Sequence, residues 1–112
     1  MMLNELNSAI SRFSDNARKY WKEIESGNSK AANKAEKSNA TIVNEWRKKG
    51  VAIDVLLRLT SHADIAVKFA AAAYLISFEK NDIAASVLRD IEVGKHGLMS
   101  ASASVILRAN GE

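Results

Sequence analysis

The chain repeats itself faintly at a spacing of 31 residues, with residues 52–78 returning as 83–109. Leu57 and Arg58 recur as Leu88 and Arg89, Ala70 and Ala72 as Ala101 and Ala103, and the triplet Tyr74, Leu75, Ile76 as Val105, Ile106, Leu107. Self-similarity at this period is the mark of stacked helical hairpins, because one hairpin cannot bury its apolar face alone. The echo therefore points to a binding scaffold and away from a catalyst.

Punctuation agrees with helices throughout. Proline is absent, and Gly27, Gly50, Gly94, Gly97 and Gly111 fall between or after apolar stripes, where a left-handed helix end costs glycine nothing. From Leu3, the residues Leu6, Ile10, Phe13, Ala17, Tyr20, Trp21 and Ile24 recur every three or four positions, which predicts a first helix ending near Ser26. A second helix opens with Asn28 or Ser29 as its N-cap, and its stripe of Ala31, Ala32, Ala35, Ile42, Val43 and Trp46 stops before Gly50. A short third helix covers 51–59, and Asp64 is placed to cap a fourth over 65–78.

The fourth helix decides the architecture. A helical wheel puts Val67, Ala70, Ala71, Tyr74 and Phe78 on one side and Ile65, Phe69, Ala72, Ala73 and Ile76 on the other, so both sides need cover. A fifth helix follows Asn81 as far as about Val93, and a sixth spans 98–109. The alternation from Met99 to Val105 mimics a strand, yet alanine and serine form strands poorly and the echo sets this run on the fourth helix. The expected fold is all-α: one domain over 1–112, a small right-handed α-solenoid of about six antiparallel helices in three hairpins.

A chain of 112 residues with 47% hydrophobic content can bury a core without staples. It has no cysteine, which excludes disulfides, thiolate metal sites and thiol nucleophiles. The first residues do not form a secretory leader and no run is long enough to span a bilayer, so the expectation is a soluble cytoplasmic protein with no membrane partner. Net charge is +3 but uneven: residues 1–50 hold 10 Lys and Arg against 6 Asp and Glu, and residues 51–112 hold 6 against 7.

The run Leu56, Leu57, Arg58, Leu59, then Ser61 to Lys68, then Ala70, Ala71, Ala72, Tyr74, Leu75 resembles the HEAT-like repeat, with its leucines, capped turn, Val followed by a basic residue, and alanine-rich second helix. Lys68 stands where that pattern usually has arginine, and Ala63 and Ile65 where prolines are common. In the second copy Lys95, His96 and Gly97 replace the capped turn and Met99 the basic residue, so it reads as a terminal repeat. As a whole the chain also resembles a small bacterial family of single-domain HEAT-like proteins known only as a domain of unknown function. That resemblance implies no assigned catalytic activity, and similar small helical-repeat proteins occur among the immunity proteins that neutralise toxins of competing bacteria.

No constellation of reactive residues stands out. His62 and His96 precede the fourth and sixth helices and could meet at one edge of a stack, but with Asp64 they make at most three ligands, without the i, i+4 spacing of a zinc pair. Gly94, Lys95, His96, Gly97 lacks the strand and the Gly-Lys-Ser/Thr ending of a phosphate loop. Ser100 and Ser104 share a face with no base nearby, which reads as small polar groups shown to solvent. No catalytic residue, metal or cofactor is assigned. Lys30, Lys34, Lys37 and Lys48 lie opposite the apolar stripe of the second helix, with Arg47 and Lys49 beside them. Trp21 and Trp46 sit inside apolar stripes as core residues, and Asn39 within its stripe is expected to satisfy a buried backbone group or an interhelical hydrogen bond.

The leading expectation is a non-enzymatic protein-binding module, in its sharpest form an immunity protein that sterically blocks a toxin. Its candidate contacts are His62, Asp64, Lys68 and His96, the basic end Arg47 and Lys48, and the acidic Asp82, Asp90 and Glu92. The alternative is nucleic-acid binding through Lys30, Lys34, Lys37 and Lys48. A monomer is the expected state.

Overall fold

In the computed structural model, which describes residues 3–112, the chain forms six α-helices, and no strand occurs among the described residues. They are α1 (Leu3–Glu25), α2 (Ser29–Lys48), α3 (Ala52–Leu59), α4 (Ile65–Phe78), α5 (Asp82–Val93) and α6 (Leu98–Ala109). The chain divides into two compact units, residues 1–52 and 53–112.

The first unit is α1 packed on α2. Ala9, Phe13, Ala17 and Trp21 of α1 are buried, as are Ala32, Ala35, Ile42, Val43 and Trp46 of α2. The α1 set recurs every four residues and the α2 set, with buried Asn39, every three or four, as the stripes require. Phe13 and Trp46 are fully buried with ring centroids 5.5 Å apart, and each such aromatic contributes about 2–3 kcal/mol through burial. Asn39 is buried and donates to the Phe13 carbonyl at 3.2 Å, while Asn16 donates to Asn39 Oδ1 at 3.0 Å and to Ser38 Oγ at 2.9 Å. The polar interruption of the α2 stripe is thus an interhelical bond.

Helix ends follow side-chain chemistry. Asn28 caps α2 by accepting from the Ala31 N–H at 3.1 Å, Asp64 caps α4 by accepting from Ala66 N–H at 2.8 Å, and Asn81 caps α5 by accepting from Ala84 N–H at 2.9 Å. Gly27 and Gly50 stop α1 and α2 with φ of 81° and 71°, each followed by an N–H that reaches five residues back: Asn28 to Glu23 O and Val51 to Trp46 O. That pair of bonds needs a left-handed residue, which glycine adopts without strain.

In the second unit α4 packs on α5 and α5 on α6. Ala66, Val67, Phe69, Ala71, Ala72, Leu75 and Ile76 are all buried, so α4 is enclosed around most of its circumference. Burial also revises the internal register. Ala52, Leu56 and Leu59 of α3 match Ala84, Leu88 and Ile91 of α5, and Val67, Ala71 and Leu75 of α4 match Met99, Ala103 and Leu107 of α6, all buried and all 32 positions apart. At the 31-residue spacing Leu57, which is half-buried, is set against the fully buried Leu88. One residue turns a helix by about 100°, so the shared leucine of the Leu-Arg pair is similar in letter and not in environment.

Candidate functional site

The residues singled out in the sequence are distributed over both units. Within the second, His62 and Asp64 form one turn: the Asp64 N–H donates to His62 Nδ1 at 2.9 Å while the Asp64 carboxylate caps α4. Both are half-buried, and the Nδ1 lone pair is spent inside the turn. Lys68 follows one turn later, also half-buried. His96 is exposed, and its ring lies over Gly94, where an added Cβ would come within 2.7 Å of it. Among the described residues no three His, Asp or Glu side chains converge as a metal site would require.

Asp82, Asp90 and Glu92 of α5 are exposed. Helical geometry sets Asp82 and Asp90 within about 80° of each other and Glu92 about 160° from Asp90, so the three do not share one face. In the first unit Arg47 and Lys48 are exposed at the end of α2, with Lys48 ion-paired to Glu45 at 3.6 Å. Lys30, Lys34, Lys37 and Lys48 are all exposed and fall within about 60° of one another around α2. Lys30, Lys34 and Lys37 form a cationic face over the first turns of α2, and Lys48 stands about 16 Å further along beyond Thr41 and Asn44.

Ser100 behaves differently from the solvent-facing hydroxyl expected of it. It is half-buried: Oγ accepts from the His96 N–H at 3.1 Å and points its proton at the carbonyls of Ile91 and Gly94, 2.7 and 3.0 Å away. α6 has no side-chain N-cap, and Gly97 precedes it at φ 60°, so Ser100 closes the α5–α6 loop from inside the helix. Ser104 accepts from Arg108 Nη2 at 2.9 Å.

Two features escaped sequence reasoning. One is a cleft of about 290 Å³ between α1 and α2, with Ala9, Ile42 and Trp46 as apolar wall and Glu5, Arg12, Glu45 and Lys49 around it. In that wall the fully buried Trp46 has an indole N–H without an acceptor among the described residues. The other is a set of large apolar side chains left in water on α5 and α6: Ile83 at 52% exposure, Val93 at 80%, Leu98 at 60% and Val105 at 61%. Their spacing was visible, but a wheel cannot tell which of two apolar sides a neighbour covers. No protein-family model matches the chain, and neither a curated protein nor a solved structure does.

Proposed function

We propose that the chain is a non-enzymatic, HEAT-like protein-binding module, and in its sharpest form an immunity protein that occludes a bacterial toxin. The observation that carries the reading is the exposure of Ile83, Val93, Leu98 and Val105 within two adjacent helices. Large apolar side chains left in water, two on each of these helices, are the kind of group that a protein partner covers. The contacts from Phe13 to Trp46 and from Asn16 to Asn39 suit an antiparallel hairpin, the unit from which such a module is built. The sharp form is tested by co-expression with a toxin domain encoded beside the gene. Restored growth and a 1:1 complex, both weakened by Ile83→Asp with Val93→Asp, support it; neither rescue nor complex with any such domain overturns it.

A second reading, nucleic-acid binding, is favoured by one observation, the four exposed lysines along a single face of α2. Phosphate contacts of this kind weaken steeply with salt. Fluorescence anisotropy with a labelled DNA duplex and an RNA hairpin at 20 mM salt decides it, and absence of binding there removes the reading.

A further inference from the structure

We draw no further inference here: the strongest candidate, the cleft of about 290 Å³ between α1 and α2, carries nothing, because the Trp46 indole N–H is buried out of reach of a molecule seated there and the rim charges Glu5, Arg12, Glu45 and Lys49 are of both signs and select none.

Discussion

Trp46 and Asn39 sit in one core and treat their polar atoms in opposite ways. Asn39 is satisfied twice across the α1–α2 seam, so Asn39→Ala strands the Phe13 carbonyl's second acceptor site and leaves Asn16 with one partner fewer. The expected loss is about 1–3 kcal/mol, read as a lowered urea midpoint. Trp46 keeps a buried N–H with no acceptor beside the Phe13 ring. Replacing it with phenylalanine removes that desolvation cost while giving up part of the ring's packing, and the two terms oppose. Trp46→Phe is therefore expected to change stability by less than about 1.5 kcal/mol, whereas Trp46→Ala loses about 3–5 kcal/mol to the cavity. Chemical denaturation of the two variants checks the contrast; equal losses would mean that the unsatisfied N–H carries no penalty.

At the scale of the helices, ends were legible in the sequence and faces were only half so. Asp64 announced its start as a cap, Asn28 did so as one of two candidates with Ser29, and Asn81 marked where α5 begins; all three accept an N–H of the first turn because a short acceptor side chain before an apolar run has a local job. Gly27 and Gly50 announced two stops for the same local reason. The register of the repeat was not legible, since identity at Leu57 and Leu88 competes with burial, and burial is decided by neighbours far along the chain. Ser100 was misread because its partners, Ile91 O and Gly94 O, belong to a loop whose path only the fold defines. These devices differ in what a substitution costs. A Cβ at Gly50 meets nothing within 4 Å, so Gly50→Ala isolates the price of a positive φ and should lose about 1 kcal/mol in thermal unfolding. Ser100→Ala instead leaves the His96 N–H without its acceptor at 3.1 Å, and faster amide exchange confined to residues 94–98 is expected. Exchange spreading through α5 and α6 would show that the hydroxyl holds more than the loop.

Across the whole molecule, the excess of positive charge and most of the exposed large apolar side chains fall in different units, with Leu3 of α1 the exception. Residues 1–52 hold 10 Lys and Arg against 6 Asp and Glu, and residues 53–112 hold 6 against 7, while Ile83, Val93, Leu98 and Val105 all belong to the latter. A single mixed interface would not need this division. Under the two readings proposed for this chain, contact with polyanions would lie on α2 and apolar contact with a protein on α5–α6, and the two can be tested separately. Lys30→Gln, Lys34→Gln and Lys37→Gln together should lower retention on a heparin column and make the slope of log binding constant against log salt shallower by about 2–3, following the loss of three phosphate contacts. The same triple variant should form the protein complex proposed for α5–α6 as the unaltered chain does. Val105→Asp should do the reverse, weakening that complex while its heparin elution falls only by what one added carboxylate explains. If the lysine variant also loses that complex, the α2 face takes part in the apolar contact and the two properties are one.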